Sequence, residues 1–591
     1  MAKKILENSW DVLEDYRGEF IKGEWPTIPE QFHISAHLYP EQTAFTQFAP
    51  EEVRITYREA LEYVKNIASW LIGKGLKKGD RVVLIGKNSP WWALGYLAAL
   101  EAGGVIVPMD AQMEDETANR LISFVEAGFL IADGDKLDVL GGKGSGIKHK
   151  ISLSRGKGDF ITELPAGKIT KSAKSGDFER AAEDDLAAIL FTSGTTGMEK
   201  GVMLTHKNFM TDVYQACHHD FLNADQSDVW YALLPLHHSY CMTAVFLEGI
   251  KHAGEVVFAP AIVIDKIMKD LEFGGVTIFM GIPLLYNKIL KGMMKKVRAK
   301  GLFSHLLVGL LMRVSGFFKI VFKMNIGKKL FGNILLKKAN LYNLKYLISG
   351  GGPLAPETVR RYQELGLDFV QGYGMTETAP ISTLNPAHAF KLSSVGKVFP
   401  LIEMEIWNPG EGGIGEVVIK GPICCKGYWK NEEATAELFD DEGWLHTGDL
   451  GYLDKDNYLY LTGRSKNLIV SEGGKNIFPE EVEDHFQLYH QIDQIMVRGF
   501  LADEATQAEG IEAIIFPSRE HYESLGTFES TALRSDLIQA VKAVNRELLS
   551  YKRIDRIRIV DEALPTTSTR KIKRPVVNRL IANTEEGSFR V

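Results

Sequence analysis

The chain is 591 residues long, which predicts several domains because single domains usually hold roughly 100–200 residues. Hydrophobic residues make up 45% and charged residues 24%, as in folded globular proteins, so a disordered, collagen-like or coiled-coil protein is excluded. The net charge of -8 provides no global positive field, so nucleic acid is not an expected partner. Four irregularly spaced cysteines make no disulfide framework, which indicates a cytoplasmic protein.

Two segments bear on membrane targeting. Acidic residues interrupt the apolar residues of the first 20 positions every few residues, so no signal peptide is expected there. The most apolar stretch runs from Leu302 to Phe322, but His305, Arg313 and Lys319 interrupt it. We therefore do not expect this stretch to cross a membrane.

Between about residues 55 and 285, short β-branched runs alternate with helical stretches. The expected strands are 82–86, 105–110, 187–192, 255–260 and 276–281. The segment from Trp91 to Gly104 has helical periodicity and ends in a glycine pair, so it is expected to be a crossover helix. This alternation predicts βαβ units and mostly parallel sheets. The residues from 141 to 180 are rich in Gly, Lys and Ser and are expected to form a surface loop or hairpin.

Two further strand-and-loop units, 344–353 and 368–378, carry glycine where each strand would end, which is where ligands bind in α/β sheets. Short strands with Gly, Asn and Asp turns at about 393–463 indicate an antiparallel or barrel-like subdomain. Helices are expected at 479–489 and 531–550. The predicted fold class is α/β, with a large N-terminal domain of parallel-sheet βα subdomains, a small β-barrel-like subdomain and a smaller α+β C-terminal domain.

The densest local motif is TSGTTGMEKG, from Thr192 to Gly201, directly after an expected buried strand. Glycine lets backbone amides turn toward phosphate oxygens, hydroxyls add donors, and Lys200 adds a positive charge. The spacing differs from that of a Walker loop. The motif therefore indicates a phosphate-binding loop, and a plain surface turn is the alternative.

Four more motifs follow in chain order: YGMTET at Tyr373–Thr378, GWLHTGD at Gly443–Asp449, TGRSK at Thr462–Lys466 and LPTTSTRK at Leu564–Lys571. Together with the glycine-rich motif they resemble the adenylate-forming superfamily, which comprises acyl-CoA synthetases, peptide-synthetase adenylation domains and luciferases. The resemblance covers about residues 30–580. It implies an adenylation domain at 1–463 with its β-rich part at about 393–463, a hinge at 464–467 and a mobile C-terminal domain at 468–591.

The resemblance also implies a nucleotide site. The residues assigned to ATP are Thr192, Ser193, Gly194, Thr195, Thr196, Gly197, Lys200, Tyr373, Gly374, Thr376, Glu377, Asp449 and Arg464. Within this set Thr376 is expected near the α-phosphate, Glu377 would hold Mg²⁺, and Asp449 would accept hydrogen bonds from both ribose hydroxyls. Outside such motifs, Glu377 would be read as solvated surface and Asp449 as a turn residue or helix cap.

The C-terminal motifs imply the two-step chemistry of the family. Lys571 resembles the adenylation lysine, although its TRK sequence replaces the Ser-Gly-Lys of many members, which leaves Lys573 as a rival. Lys466 occupies the hinge position, around which the C-terminal domain would swing between two half-reactions. Gly473 and Gly474 could line a tunnel for the CoA thiol, because glycines have no side chains to block it.

An acyl pocket is also implied. Its expected residues are His238, Tyr240, Gly350, Gly351, Gly352 and Gly372. Residues 285–343 and the signature TGRSKNLIVSEGGKNIFPEEVE resemble long-chain fatty acid–CoA ligases, so a long-chain fatty acid and CoA are the first expected substrates. The alternatives are a ligase that loads a carrier protein, an acyl-AMP ligase, and a sensor without catalytic activity.

The basic, apolar segment at about 300–325 has two interpretations. It could contact an anionic membrane surface, where a fatty acid would partition, or pack as a helical hairpin on the protein itself. The sequence leaves a homodimer open, and it does not fix acyl chain length.

Overall fold

The structure is a computed structural model that describes residues 8–165, 180–193, 199–218, 221–259, 261–470, 475–503, 508–526, 531–567, 570–581 and 588–591. Most buried apolar side chains of the N-terminal domain belong to one large cluster that reaches Leu459. A separate cluster runs from Ile469 to Ile557. The large N-terminal domain and the small C-terminal domain thus have cores of their own.

One sheet of the N-terminal domain carries the glycine-rich motif at its edge. Its strands, in spatial order, are β6 (His149–Ser152), β5 (Phe129–Ala132), β3 (Arg81–Ile85), β4 (Val105–Met109), β7 (Leu186–Ser193) and β8 (Glu199–Thr205). All neighbours are parallel except β7 and β8, which form an antiparallel pair. The motif therefore connects two paired strands.

The second sheet joins parallel and antiparallel strands in one hydrogen-bonded order. Its parallel part comprises β13 (Asp368–Tyr373), β12 (Tyr346–Ser349), β11 (Ile278–Gly281), β9 (Val229–Ala232), β10 (Glu255–Phe258) and β1 (Thr43–Gln47). Strand β2 (Val53–Thr56) closes one edge in the antiparallel sense. At the other edge follow, antiparallel, β14 (Thr383–Leu384), β15 (Gly396–Val398), β19 (Tyr458–Arg464), β18 (Leu445–Leu453), β17 (Gly415–Lys420) and β16 (Glu403–Trp407).

Helices cover these sheets. Those of the N-terminal domain are α1 (Ile28–Leu38), α2 (Tyr57–Gly73), α3 (Pro90–Glu101), α4 (Asp115–Phe124), α5 (Gly134–Leu137), α6 (His206–Ala216), α7 (Ser239–Cys241), α8 (Glu248–Lys251), α9 (Ile264–Phe273), α10 (Pro283–Arg298), α11 (Leu302–Val321), α12 (Gly327–Phe331), α13 (Pro356–Glu364) and α14 (Glu432–Leu438). A π-helical turn, Met242–Leu247, joins α7 to α8. The start of α3 follows from its sequence, because Ser89 accepts a hydrogen bond from the Trp92 amide and Pro90 fits the first helical position.

The C-terminal domain is α+β. Its strands are β20 (Ile469–Val470), β21 (Asn476–Ile477), β22 (Ile492–Asp503), β23 (Ala508–Pro517), β24 (Arg556–Ile559) and β25 (Ser588–Arg590). Its helices are α15 (Pro479–Asp484), α16 (Arg519–Leu525), α17 (Thr531–Glu547) and α18 (Arg574–Ile581). Strands β22 to β25 form one sheet, and β20 and β21 pair separately.

The predicted fold class is confirmed, with three differences in detail. Strand β6 lies inside the stretch expected to be a loop or hairpin. The helix expected at 479–489 ends at Asp484, because the following residues turn toward the N-terminal domain, where Gln487 makes hydrogen bonds. The antiparallel strands of the expected β-barrel-like subdomain continue the edge of the second sheet instead of standing apart.

Candidate active site

A cavity of about 2530 Å³ lies between the two domains. The described residues expected at the site that line it are Thr192, Lys200, His238, Tyr240, Gly350, Gly351, Gly352, Gly372, Tyr373, Gly374, Thr376, Glu377, Asp449, Arg464, Lys466 and Lys571, together with Lys573. Ser193 ends strand β7, and its side chain is outside the description. Gly194, Thr195, Thr196, Gly197, Gly473 and Gly474 lie outside the described residues.

Strand register brings Asp449 and Arg464 together. The two residues are direct partners on β18 and β19, and Arg464 Nε donates to Asp449 Oδ1 at 2.8 Å. Tyr373, at the end of β13, donates its hydroxyl to Asp449 Oδ2 at 2.8 Å. The nearby carboxylate raises the pKa of Arg464, so the guanidinium stays charged. One wall of the cavity therefore presents a buried carboxylate held from two sides.

The YGMTET turn depends on a close backbone approach. A Cβ at Gly374 would lie 1.6 Å from the Pro380 carbonyl oxygen, so any larger residue would force the turn open. The turn points Thr376 toward Ser239, with 3.2 Å between their hydroxyl oxygens. Two hydroxyls from separate elements thus meet at the cavity.

The carboxylate of Glu377 is buried and held by a tyrosine. Tyr428 donates its hydroxyl to Glu377 Oε1 at 2.8 Å, and Lys200 Nζ lies 4.8 Å from the Tyr428 ring centre. Burial raises the pKa of Glu377, while the hydrogen bond and the positive charges of Arg464 and Lys200 oppose that rise. A hard carboxylate that lines the cavity beside Lys200 is the kind of ligand that Mg²⁺ takes together with phosphate oxygens, so these residues fit that ion.

The glycine-rich motif starts and ends on paired strands. Thr192 on β7 is the register partner of Lys200 on β8, and its Oγ1 lies 3.5 Å from the Lys200 carbonyl oxygen. Both residues line the cavity. The two described ends of the motif therefore lie side by side at the cavity.

Lys571 lies on a short hairpin that reaches the cavity from the C-terminal domain. Thr566 and Ile572 pair across the hairpin, and the Lys571 amide donates to Thr567 Oγ1 at 3.1 Å. Arg570 has φ +63°, the left-handed conformation that favours glycine. Arg570, which stands where the expected motif has glycine, thus adopts a backbone conformation that glycine favours.

The surroundings of Lys571 connect the two domains. The side chain of Lys571 is exposed to the cavity, and residues of both domains surround that cavity. Desolvation by these residues lowers the pKa of Lys571. The Arg464 charge lowers this pKa further, and Asp449 opposes the change. Burial, His237 and Lys571 together lower the pKa of His238. The lysine thus shares the cavity with the carboxylate wall and with His238 of the expected acyl pocket.

Lys573, the rival of Lys571, also lines the cavity, and its amide donates to the Pro565 carbonyl at 2.8 Å. The next residue, Arg574, is fixed within its own domain, where it donates to Glu483 Oε1 at 2.6 Å. Lys571, by contrast, interacts electrostatically with Asp449, Arg464 and His238. These interactions favour Lys571 over Lys573.

The C-terminal domain is held against the N-terminal domain by polar contacts centred on Gln487. Its Oε1 accepts from the Ala355 amide at 2.9 Å and from Asn287 Nδ2 at 3.1 Å, and its Nε2 donates to the Pro353 carbonyl at 3.1 Å. Lys291 Nζ donates to the Tyr489 carbonyl at 3.0 Å. Lys466 lies in the 3-10 turn Ser465–Asn467 directly after β19, where the chain passes between the domains.

The expected acyl pocket is lined by an aromatic and by glycines. The ring of Tyr240 packs on Gly350, where a Cβ would lie 2.9 Å from the ring, and its hydroxyl donates to the Ile348 carbonyl at 3.3 Å. Tyr240 therefore occupies the space that Gly350 leaves. The rings of His238 and His237 lie 4.1 Å apart. Helix α7 and its π-helical turn thus supply one side of the pocket.

A buried acid also lines this cavity. Glu248, at the start of α8, has one carboxylate oxygen 2.8 Å from Cys217 Sγ, while its Oε1 has no hydrogen-bond partner among the described residues. Burial raises the pKa of Glu248 to about 8. His252 Nε2 lies 2.9 Å from the same sulfur. Separations this short fit hydrogen bonds better than a tetrahedral metal cage, in which ligand atoms lie farther apart.

Sequence reasoning missed four residues: Ser239, Glu248, Tyr428 and Gln487. Ser239 stands between the two expected pocket residues His238 and Tyr240, so its neighbours were a usable signal. The other three act through partners far along the chain, and no local pattern marks them.

Comparison with known proteins agrees with this geometry. A family profile described as AMP-binding enzyme matches residues 32–429, and the chain belongs to that family. A feruloyl-CoA synthase from Amycolatopsis sp is 28% identical, over 94% of this chain and 98% of the relative. A long-chain-fatty-acid–CoA ligase from Bacillus subtilis is 27% identical, over 81% of this chain and 84% of the relative.

Solved structures share the fold. ATP-bound MatB from Rhodopseudomonas palustris has a TM-score of 0.72 at 24% identity, covering 93% of this chain and 99% of the other. The anthranilate CoA ligase AuaEII in complex with anthranoyl-AMP has a TM-score of 0.75 at 19% identity, covering 94% and 97%. The expected membership of the adenylate-forming superfamily is confirmed.

Proposed function

We propose that this protein is an AMP-forming acid–CoA ligase, which activates a carboxylic acid with ATP and then transfers the acyl group to CoA. The observation that supports this most directly is that Lys571 of the C-terminal domain lines the same cavity as the paired Asp449 and Arg464 on β18 and β19. The names of its relatives support an acid–CoA ligase as well.

In the first half-reaction the acid's carboxylate oxygen attacks the α-phosphorus of ATP, and pyrophosphate leaves. Lys571, as an ammonium, stabilises the negative charge that the α-phosphate gains, and Thr376 donates a hydrogen bond there. Asp449 accepts from the ribose hydroxyls and so fixes the nucleotide beside the acid. Lys200 and the residues from Thr192 to Gly197 bind the outgoing phosphates.

Glu377 is proposed to hold Mg²⁺, which when bound neutralises charge on the phosphates. The hydroxyl of Tyr428 fixes the orientation of one carboxylate oxygen of Glu377. Because Oε1 is held in this way, the direction in which the other carboxylate oxygen of Glu377 points is fixed as well.

In the second half-reaction the CoA thiolate attacks the acyl-adenylate carbonyl, and AMP leaves. We propose that the C-terminal domain, residues 468–591, rotates about Lys466 in the hinge 464–467 for this step. Rotation would break the contacts of Gln487 and withdraw Lys571. Gly473 and Gly474 would then line the CoA tunnel.

A long-chain fatty acid is our first proposed substrate, supported by the long-chain-fatty-acid–CoA ligase of Bacillus subtilis among the relatives. The expected acyl-pocket residues His238, Tyr240, Gly350, Gly351, Gly352 and Gly372 would line the chain, with Tyr240 filling the space beside Gly350. The decisive experiment is pyrophosphate release from Mg·ATP with acetate, octanoate, laurate, palmitate or ferulate, with and without CoA. Turnover with laurate or palmitate that CoA accelerates supports the proposal.

Two other outcomes of this screen have defined meanings. A single burst of pyrophosphate that CoA does not extend would favour an acyl-AMP ligase or a ligase for a carrier protein. Absence of any burst, with all of the acids, would favour a sensor without catalytic activity. Cytoplasmic location and homodimer formation stay predictions of the sequence.

One observation favours a second candidate substrate, an aromatic hydroxy acid. The unpartnered Glu248 oxygen would suit a hydroxyl at the far end of the substrate better than a methyl end. Relatives named feruloyl-CoA synthase and 4-coumarate–CoA ligase CCL1 point the same way. If Glu248→Gln lowers kcat/KM for ferulate but leaves palmitate unchanged, the second candidate replaces the first.

A further inference from the structure

Helix α11 exposes an apolar stripe along its full length. Phe303, Leu306, Leu310, Val314 and Phe317 recur at intervals of three or four residues, and their exposed fractions lie between 40% and 77%. This spacing places them on one helix face. By length and composition the helix could cross a membrane, yet only 17% of its apolar window is buried. A soluble protein rarely exposes so continuous an apolar face without a partner.

The opposite face of α11 is attached to the protein along the helix. Met312, Ser315 and Gly316 are buried, and Gly316 lies so close to Glu364 that a Cβ would be 2.8 Å from its side chain. Lys319 Nζ donates to Asp368 Oδ1 at 2.8 Å. A helix fixed this way along one side cannot have lipid all round it. The exposed stripe can therefore lie in the plane of a surface but cannot span a bilayer.

The charges around the stripe identify the partner. From Phe273 to Pro356 the sequence contains twelve lysines and two arginines but no aspartate or glutamate, within a chain whose net charge is -8. The basic residues Lys296 and Lys300 precede α11, Lys323 follows it, and all three are exposed. An apolar stripe bordered by cations fits a bilayer interface rich in anionic lipid headgroups.

We propose that α11 is a docking surface for the anionic face of a lipid bilayer, lying in the interface with its stripe among the acyl chains. This orientation has a consequence for the cavity. Helix α10 begins at Pro283, which lines the cavity, and ends just before α11. Its 16 residues span about 24 Å, so docking would hold the cavity within that distance of the membrane.

The test is flotation of the full-length protein with vesicles of phosphatidylcholine alone and of phosphatidylcholine mixed with phosphatidylglycerol. We expect flotation with the mixed vesicles, and at least about tenfold weaker partitioning for the triple variant Phe303→Glu, Leu310→Glu, Phe317→Glu. These side chains are exposed, so the variant should keep its circular dichroism spectrum and thermal transition.

The matched control is Val139→Glu, Leu549→Glu, Leu580→Glu, which adds the same charge at exposed apolar residues elsewhere. It should float like the wild type. A second variant, Lys296→Gln, Lys300→Gln, Lys323→Gln, should lose its preference for the mixed vesicles.

Three results would overturn the proposal: no flotation with either vesicle, equal loss in the triple variant and its control, or a dimer in solution that the triple variant abolishes. The last would assign the stripe to a second copy of the chain. Flotation needs no substrate, so its outcome is independent of the ligase proposal.

Discussion

The two walls of the cavity are built in different ways. On the N-terminal side, Asp449 and Arg464 meet because they are register partners on neighbouring strands, and Tyr373 joins them from a third strand. On the C-terminal side, Lys571 lies on a hairpin whose domain is held by polar contacts around Gln487 and by the ion pair of Lys475 with Glu411. The first wall cannot separate without unfolding a sheet, whereas the second can withdraw. The difference fits an enzyme that keeps its nucleotide while it exchanges one catalytic step for another.

The largest effect is expected from removing the charge of Lys571 on the C-terminal wall. Lys571→Ala should lower acyl-adenylate formation by about 10²–10³-fold, because the ammonium that stabilises the α-phosphate is lost. Pyrophosphate release measures this step. Thioester formation from supplied acyl-adenylate should persist, and Lys573→Ala serves as the matched control. If both half-reactions fell equally, Lys571 would have another role.

Restricting the backbone at the hinge should slow thioester formation but not adenylation. Lys466→Pro fixes φ and removes a backbone donor at the hinge, so rotation should become costly by about 3 kcal/mol, or about a hundredfold in thioester formation. Single-turnover assays with CoA measure this change. Adenylation should stay near the wild-type rate, and unchanged overall turnover would show that the pivot lies elsewhere.

Substitutions in the N-terminal wall of the cavity should lower the affinity for ATP. Asp449→Asn removes the charge that Arg464 and the ribose share, and hydrogen bonds to charged groups contribute about 1.5–3 kcal/mol. We expect the KM for ATP to rise by about ten- to a hundredfold. Tyr373→Phe, which removes one donor to Asp449, should have a smaller effect. A normal KM for ATP in Asp449→Asn would exclude contact with the ribose.

Weakening the hydrogen bonds of Gln487 between the domains should shift the balance between the domain arrangements of the two half-reactions. Gln487→Ala removes three hydrogen bonds between the domains, each contributing about 0.5–1.5 kcal/mol. Adenylation should slow by about tenfold, while thioester formation from supplied acyl-adenylate should hold or rise. Rapid-quench measurement of each step distinguishes this result from general destabilisation, which would slow both.

The smallest expected effect concerns pH. A lowered pKa means that Lys571 loses its proton at a pH below that of an ordinary lysine, so adenylation should decline on the alkaline side earlier than about pH 10.4. The pH profile of kcat/KM for pyrophosphate release, which reports the free enzyme, measures this limb. Lys571→Arg should move the limb to higher pH or remove it. An unchanged limb would assign it to another group.

Sequence predicted what local patterns encode. The alternation of strands and helices predicts the fold class, and the sequence motifs predict Asp449, Arg464 and Lys571 as site residues. It did not predict Tyr428 or Gln487, because their partners Glu377 and Ala355 lie far away along the chain. It flagged the missing glycine before Lys571, but only backbone geometry could reveal that Arg570 adopts the glycine conformation.

The pairing of Asp449 with Arg464 also limits how the gene can change. The turn between β18 and β19 runs through Asp454 and Asn457, whose backbones hydrogen-bond at 3.0 Å. Since side chains alternate between the faces of a strand, inserting or deleting one residue there would turn Arg464 to the opposite face. Substitution of the exposed Lys455 would leave this register intact, but a length change of one codon would separate the pair. The length of the turn should therefore evolve more slowly than the identity of its exposed residue Lys455.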